Sequence, residues 1–303
     1  MRFLRKRSHS VGVGVAWSGE GTLVVARGGG YRTYPVHGEN NMNNHNSHSR
    51  IAIVTGASRR RGIGTAICRA LAADGIDIFF THWSAYDRAM SYNVDEDWPT
   101  SLQQELREKG VRCENLEVDL SIVDAPTHLL DEVQARLGQP SILVNNATHS
   151  LRDGYEVLNA SILDAHYTVN IRGTLLLSVE FARRYGGKSA RRIINLTSGQ
   201  SLGPMPGELA YVATKGAIEA FTVSLSAELA PHGITVNAVD PGPTDTGWMT
   251  EDLKRELLPR FPQGRLGQPE DAARLIAFLA SDAAIWITGQ VIHSQGGFRY
   301  IGV

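Results

Sequence analysis

The sequence predicts an α/β fold with a single doubly wound parallel sheet and helices on both of its faces. Three observations lead to this prediction. Short apolar runs typical of buried strands alternate with helical segments, beginning with Ile51–Val54. A glycine-rich turn follows that first run, and polar residues follow several later ones. Such alternation indicates a parallel sheet, which binds ligands at the carboxyl ends of its strands.

The strands are predicted from apolar runs of four to eight residues, which suit strands buried on both faces. Each run ends in glycine, proline or polar residues that favour a turn. In order, the predicted strands are Ile51–Val54, Ile76–Thr81, Val111–Val118, Ile142–Asn145, a run ending near Ser198, Ile234–Val239 and Gln290–His293.

The helices are predicted from apolar residues at helical spacing, as in Ile63, Ile67, Ala70 and Leu71. The later helices are predicted at Ser101–Lys109, Pro126–Leu137, Ser161–Tyr185, Leu209–Ala230 and Glu270–Ala280. Pro231 and Gly233 end the predicted helix Leu209–Ala230. Residues 84–100 are polar and aromatic and predict a loop.

The glycine-rich turn runs from Thr55 to Gly64, between the first strand and the first helix. Glycines at this place permit a tight turn and let a pyrophosphate approach the helix N-terminus, where free amides favour an anion. Because strand, turn and helix occur in this order, the segment predicts a dinucleotide site.

A second group of residues predicts proton transfer. Tyr211 and Lys215 are four apart and share one helix face, while Ser198 ends a buried strand. A free tyrosine has a pKa near ~10, and a lysine cation close to it is expected to lower that value. The serine hydroxyl can orient a carbonyl oxygen beside the phenol. Taken alone, the Tyr-x-x-x-Lys spacing is more typical of an ordinary pair on a helix surface, and it is the rest of the chain that favours the catalytic interpretation.

Together these motifs resemble the short-chain dehydrogenase/reductase family, of the type that includes 3-oxoacyl-acyl-carrier-protein reductases. The similarity covers about residues 50–298. The matching segments, in chain order, are Thr55–Gly64, Leu143–Ala147, Val169–Gly173 with Asn170, the set Ser198, Tyr211 and Lys215, and Pro241–Thr246. Two departures stand out: five residues separate Gly56 from Gly62 where the family commonly has three, and Thr148 stands where glycine is usual.

The resemblance implies a Rossmann-type sheet and a set of site residues. Tyr211 would be the general acid/base, Lys215 would lower its pKa and hold the nicotinamide ribose, Ser198 would orient the carbonyl, and Asn170 would hold a water that relays protons to Lys215. The expected cofactor-binding residues are Gly56, Ser58, Arg59, Arg60, Gly62, Ile63, Gly64, His82, Asp119, Leu120, Asn145, Asn146, Ala147, Tyr211, Lys215, Pro241, Gly242, Thr244 and Thr246.

The nucleotide is expected to be NADP(H), with NAD(H) as the alternative. An NAD site usually has an acidic residue at the end of the second strand, but here no carboxylate occurs until Asp87. Three arginines, Arg59 to Arg61, stand in the turn, and one of them could pair with a 2′-phosphate. They could also be a solvated run of charge.

The substrate is expected to be a ketone or a secondary alcohol, with 3-oxoacyl thioesters as one candidate. Residues 244–265 resemble the family's mobile lid. The expected substrate contacts are Thr148, Ser198, Gln200, Met205, Tyr211 and Trp248. Trp248 and Met249 could also simply pack against the sheet.

The composition of the chain limits the classes of ligand and the cellular compartment that we expect. The 303 residues carry a net charge of −1, which argues against a general nucleic-acid or membrane surface. No apolar run approaches the ~18–20 residues that span a bilayer, and no Cys/His cluster has metal-ligand spacing. The two cysteines, Cys68 and Cys113, fit a reducing cytoplasm.

Residues 1–49 differ from the rest, because they are rich in glycine, asparagine and basic residues and show little periodicity. We expect them to be mostly disordered. A sharper hypothesis is that Met42 is the true start, since Gly38-Glu39 could be encoded by a purine-rich sequence like a bacterial ribosome-binding site.

Two alternative functions remain at this stage: a non-catalytic NADP(H)-binding regulator of the same fold, and an NAD-dependent alcohol or sugar dehydrogenase. The intact serine, tyrosine and lysine set argues against the regulator. The resemblance also implies a homotetramer formed through the helices Ser161–Tyr185 and Leu209–Ala230.

Overall fold

The computed structural model describes residues 14–18, 22–27, 30–35, 50–90, 97–187 and 190–300. The chain divides into two units, residues 1–48 and residues 49–303. The first unit contains three strands, β1 (Gly14–Ser18), β2 (Thr22–Arg27) and β3 (Gly30–Pro35), which pair antiparallel in that order. The sequence predicts disorder over this segment, and the structure describes a small sheet within it. The hypothetical start at Met42 lies outside the described residues.

The second unit contains a seven-stranded parallel sheet of the predicted Rossmann type. Its order is β10-β9-β8-β7-β4-β5-β6. The strands are β4 (Ile51–Val54), β5 (Asp77–His82), β6 (Cys113–Glu117), β7 (Ile142–Asn145), β8 (Arg191–Leu196), β9 (Ile234–Asp240) and β10 (Val291–His293). The chain order reverses direction between β4 and β7, which is where ligands bind in sheets of this type.

The helices are α1 (Ile63–Ala73), α2 (Ser84–Ala89), α3 (Trp98–Glu108), α4 (Ala125–Arg136), α5 (Ala160–His166), α6 (Thr174–Tyr185), α7 (Leu209–Leu229), α8 (Glu251–Leu257) and α9 (Pro269–Ala280). A π-helical segment, Tyr167–Gly173, joins α5 to α6, so the long helix predicted there has one irregular turn. Segments of this kind are frequent at functional sites.

The core has two layers because side chains alternate across each strand. Ala52 and Val54 of β4 face a cluster that includes residues of α1, α3 and α9. Ile51 and Ile53 face the opposite cluster, which includes residues of α4, α6 and α7. Burial on both faces explains why the central strands are continuous apolar runs.

The main departure from the predicted elements lies after β5. Residues 84–100 are predicted as a loop, but α2 forms over Ser84–Ala89 and α3 begins at Trp98. Trp98 is fully buried and its indole nitrogen donates to Thr65 Oγ1 at 3.0 Å. Packing of this aromatic side chain against α1 explains the early start, which local polarity does not reveal.

Candidate active site

A cavity of about 850 Å³ opens at the carboxyl ends of the sheet. The glycine-rich turn borders one end of it, and Ser198, Tyr211 and Lys215 border the other. Its volume falls within the range typical of small-molecule and cofactor sites. The topology therefore brings together two motifs that lie about 140 residues apart in the chain.

The glycine-rich turn is fixed by close backbone contacts. Gly56 has a φ of +77°, and a Cβ atom there would lie 2.7 Å from Ala147 Cα. Asn146 Nδ2 donates to the carbonyl oxygens of Thr55 and Gly56, each at 2.8 Å. The end of β7 therefore holds the turn in place, which explains why Asn146 and Ala147 belong to the same site.

The N-terminus of α1 is suited to an anion. Gly62 is its N-cap, with its own amide donating to the Arg59 carbonyl oxygen at 2.9 Å, and Gly62, Ile63 and Gly64 all border the cavity. The unpaired amides and the positive end of the helix dipole favour a phosphate group. These residues, with Ser58 and Asn146 beside them, fit the pyrophosphate of a dinucleotide.

The three arginines of the turn point in different directions. Arg59 borders the cavity. The Arg60 guanidinium instead lies over the Trp98 ring, 4.2 Å from its centroid. Arg61 Nη2 is 3.1 Å from Asp245 Oδ2, in the loop after β9. Of the three, only Arg59 is placed to meet a cofactor.

Asp87, the first carboxylate after β5 in the chain, also borders the cavity here. Asp87 of α2 is buried, and its Oδ1 lies 3.7 Å from Arg59 Nε. Burial raises the Asp87 pKa, while Arg59 and a hydrogen bond with Ser58 oppose that rise. The short helix α2, absent from the predicted elements, is what brings this carboxylate back to the turn.

Other expected cofactor residues border the same cavity. They are Asp119 and Leu120 after β6, Ala147 after β7, and Pro241, Gly242, Thr244 and Thr246 after β9. Asp119 Oδ1 accepts a hydrogen bond from the Ser121 amide at 2.8 Å, which fixes the loop.

At the other end, Lys215 is buried and its Nζ donates to the Leu196 carbonyl oxygen at 2.8 Å. The ammonium lies 5.5 Å from the centroid of the Tyr211 ring. Ser198 lies two residues past the end of β8, close enough to Tyr211 for the two hydroxyl groups to interact. The three side chains therefore meet at one place, as the spacing predicts.

The pKa of Tyr211 is raised in the structure, whereas the sequence predicts that it is lowered. Burial raises the pKa of Tyr211, Glu208 raises it further, and the hydrogen bond with Ser198 acts the other way. Burial lowers the pKa of Lys215 to about 8. The sequence predicts that Lys215 lowers the tyrosine pKa, but removal of both groups from water has the larger effect.

The side-chain amide of Asn170 hydrogen-bonds two elements of the fold, and its predicted role in holding a water stays a prediction. Its Nδ2 donates to the His149 carbonyl oxygen at 2.8 Å and to Thr214 Oγ1 at 3.0 Å. Its Oδ1 accepts from the His149 amide at 2.7 Å and from Thr148 Oγ1 at 3.1 Å. These four bonds saturate the amide, so Asn170 braces the loop after β7 against α7.

Two acidic residues near the start of α7 were missed from sequence. Asp153 is buried and accepts from the Leu209 and Ala210 amides at 2.5 and 2.8 Å. It caps α7 from a distant loop, which no local pattern reveals. Glu208 borders the cavity beside Tyr211, and burial raises its pKa.

Several predicted contacts lie outside the cavity. Arg60 packs on Trp98 as described, and Asn170 acts as a brace. Asn145 Nδ2 donates to Ser178 and Asn195 within the sheet core. His82 bonds Asn115, and Gln200 Nε2 donates to Glu219 Oε1 at 2.6 Å. Each of these polar side chains contacts a neighbouring element of the fold, although His82 Nδ1 and Gln200 Oε1 are buried without a hydrogen-bond partner.

At the substrate end, the cavity is lined by the polar catalytic side chains and by apolar residues. Of the predicted contacts, Thr148, Met205 and Trp248 border the cavity. Trp248 Nε1 donates to the Thr244 carbonyl oxygen at 3.0 Å, whereas Met249 packs in an apolar cluster with Phe261 and Phe298. Two aromatic residues near the C-terminus, Phe298 and Tyr300, also border it and were not predicted.

Across the residues that the structure describes, no helix is long and apolar enough to cross a membrane. Within the same residues, His, Cys, Asp and Glu side chains form no group of three that could hold a metal ion.

Comparison with known proteins agrees with this geometry. The family model described as enoyl-(acyl carrier protein) reductase matches residues 56–299. An uncharacterized oxidoreductase of Bacillus subtilis, YjdA, is 58% identical over 254 residues, which is 83% of this chain and 98% of that protein. The 3-oxoacyl-acyl-carrier-protein reductase FabG of Staphylococcus epidermidis is 34% identical over 252 residues, or 82% and 98% of the two chains.

A solved structure is also similar. A blue fluorescent protein from a metagenomic library, in complex with NADPH, superposes with a TM-score of 0.72 at 32% identity, covering 82% of this chain and 97% of that one. The chain belongs to the short-chain dehydrogenase/reductase family. It is accordingly a nicotinamide-dependent oxidoreductase of CH–OH groups.

Proposed function

We propose that the protein is an NADP(H)-dependent ketoreductase that interconverts a ketone and a secondary alcohol, with Tyr211 as the general acid/base. The observation that carries this proposal is the meeting of Ser198, Tyr211 and Lys215 in one cavity with the free amides at the start of α1. A catalytic set and an anion site in one continuous space suit hydride transfer coupled to proton transfer.

The dinucleotide would be held by the α1 amides at its pyrophosphate, by Asp119 and Leu120 around the adenine, and by Lys215 at the nicotinamide ribose. When bound, the nicotinamide supplies or accepts the hydride at the carbonyl carbon. Everything else in the reaction is proton handling and orientation by residues of the chain.

In the direction of reduction, Tyr211 donates its hydroxyl proton to the carbonyl oxygen as negative charge develops there. Its raised pKa keeps the phenol protonated at neutral pH, which suits a proton donor. Ser198 orients the same oxygen through a hydrogen bond. Lys215, whose pKa is about 8, can return a proton to Tyr211 near neutral pH.

The preference for NADP(H) rests on Arg59. Its guanidinium borders the cavity near Ser58 and could pair with a 2′-phosphate. Asp87 competes for the same guanidinium and could instead accept from ribose hydroxyls, so NAD(H) is the second candidate. The NADPH complex of the similar metagenomic protein supports the first choice.

The expected substrate is an uncharged ketone, with 3-oxoacyl thioesters as one subclass. The walls from Trp248, Leu253 and Leu257 are apolar, and Glu208 places a carboxyl group beside Tyr211. The relative named as a 3-oxoacyl-acyl-carrier-protein reductase favours the thioester subclass. A cytoplasmic homotetramer remains our expectation.

The test is NADPH oxidation by the purified protein with a short 3-oxoacyl thioester, beside a panel of cyclic and aliphatic ketones. Turnover of the thioester alone would assign fatty-acid or polyketide-type reduction. Turnover of the panel alone would assign a general ketone reductase. Tight NADPH binding with no turnover of any compound would overturn the proposal and favour a non-catalytic regulator.

A further inference from the structure

Tyr300 lies in a space that exists because two neighbouring residues are glycines. A Cβ atom at Gly199 would overlap the Tyr300 hydroxyl, and one at Gly203 would lie 2.5 Å from Tyr300 Cβ. Both glycines belong to the loop that follows Ser198. The aromatic ring therefore lies directly against the backbone that carries the catalytic serine.

Tyr300 is also tied to the lid. Its ring packs edge-on against Phe298 with centroids 5.0 Å apart, and Phe298 contacts Phe261 at 4.8 Å. The Arg260 guanidinium lies 4.4 Å from the Phe298 centroid, and its Nε donates to the Arg299 carbonyl oxygen at 2.8 Å. Residues 298–300, which we call the C-terminal segment, thus connect the lid to the loop after Ser198.

The Tyr300 ring is placed where it can contact a substrate. Tyr300 borders the cavity together with Met205, Leu253 and Leu257, at the substrate end. Its hydroxyl makes no hydrogen bond to any part of the chain that the structure describes. The ring is thus held by shape, between glycines on one side and aromatic residues on the other.

From this geometry we propose that Tyr300 is the specificity-determining wall of the substrate cavity and limits the length of the ketone that can be reduced. The proposal rests on the proposed ketoreductase function and names its substrate class: compact ketones whose chain beyond the carbonyl is short. Gly199 and Gly203 are positioning residues for this wall, since any side chain there would displace the ring.

The experiment is the ratio of kcat/KM across 2-alkanones from 2-butanone to 2-decanone, with NADPH, for wild type, Tyr300→Ala, Tyr300→Phe and Gly203→Ala. In Tyr300→Ala the ratio for long over short ketones should rise by about tenfold or more, because single methylenes in apolar pockets are worth about that factor. Tyr300→Phe keeps the ring and should retain the wild-type profile.

Gly203→Ala should shift the profile in the same direction as Tyr300→Ala, and the double variant should shift it no further, since both changes remove one wall. Gly154→Ala is the matched control, because a Cβ there meets nothing within 4 Å. Melting temperatures check that each variant folds.

The outcomes distinguish failure of the Tyr300 proposal from failure of the ketoreductase function on which it rests. Absence of turnover by wild type with every ketone and thioester overturns the proposed function, and the wall with it. An active wild type whose length profile is unchanged in Tyr300→Ala overturns the wall alone. A shift in Tyr300→Phe equal to that in Tyr300→Ala would assign selection to the hydroxyl and also overturn it.

Discussion

The Nε atom of Arg59 lies 3.7 Å from the Asp87 carboxylate, and this pair joins the glycine-rich turn to α2. The two residues offer opposite chemistry at one place in the cavity. A guanidinium suits a phosphate, whereas a carboxylate suits ribose hydroxyls. The balance between them is therefore expected to set the choice of nucleotide, and it can be altered one residue at a time.

Replacing Arg59 by alanine is expected to raise KM for NADPH by about tenfold or more, because charge-assisted hydrogen bonds to phosphate are worth roughly 1.5–3 kcal/mol. KM for NADH should change little. Arg60→Ala is the matched control, since Arg60 packs on Trp98 and should leave the cofactor preference unchanged. Equal losses for both nucleotides in Arg59→Ala would contradict the assignment.

Replacing Tyr211 by phenylalanine removes only the proton donor. Turnover should fall by roughly 10²–10⁴ while NADPH affinity and melting temperature stay close to wild type. Tyr155→Phe serves as the control, because Tyr155 is an exposed tyrosine (86%) away from the catalytic set. Single-turnover measurements at saturating NADPH give the comparison, and near-wild-type rates in Tyr211→Phe would remove this residue from the mechanism.

Buried Lys215 is expected to lower the free energy of unfolding of the cofactor-free protein, by an amount that depends on pH. Its pKa is about 8 when folded, against 10.5 for the ordinary group. Below pH 8 the amine is charged in both states, and burial of the charge opposes folding. The penalty disappears as the pH rises from 8 toward 10.5, because there the unfolded chain holds the extra proton.

Lys215→Met is therefore expected to stabilise the cofactor-free protein at pH 6 by roughly 1–3 kcal/mol. The upper end of this range follows from the lowered pKa, since one pKa unit corresponds to ~1.4 kcal/mol. The gain should shrink between pH 8 and pH 10. Urea unfolding at several pH values measures the free energy of unfolding. Lys109→Met, at an exposed lysine, should show no such trend, and a gain at Lys215 that is independent of pH would exclude buried charge as its cause.

Asp153→Ala should lower both stability and turnover, since it removes the acceptor for the first amides of the helix that carries Tyr211 and Lys215. The loss of a helix cap typically costs about 1 kcal/mol. Thr250→Ala removes the cap of α8, whose donor is the Leu253 amide, and gives a control for cap loss away from α7. An unchanged kcat in Asp153→Ala would show that this cap is purely structural.

Much of the fold could be predicted because apolar runs and helical periodicity are local properties. The seven parallel strands, the glycine-rich turn and the helix with Tyr211 and Lys215 all follow from such patterns. The helix α2 could not, because Ser84–Ala89 is short and polar. Its contacts with the turn and with the loop after β7, through Asp87 and Tyr86, join residues distant in sequence.

Within the site, the glycines of the turn and the set of Ser198, Tyr211 and Lys215 could be recognised from the chain alone, because their chemistry is inherent in residue type and spacing. The folded structure was needed to show that Arg59 faces the cavity, that burial raises the pKa of Tyr211, and that Tyr300 borders the cavity. These properties depend on the distance between chain segments and on exclusion of water, and both arise when the sheet assembles.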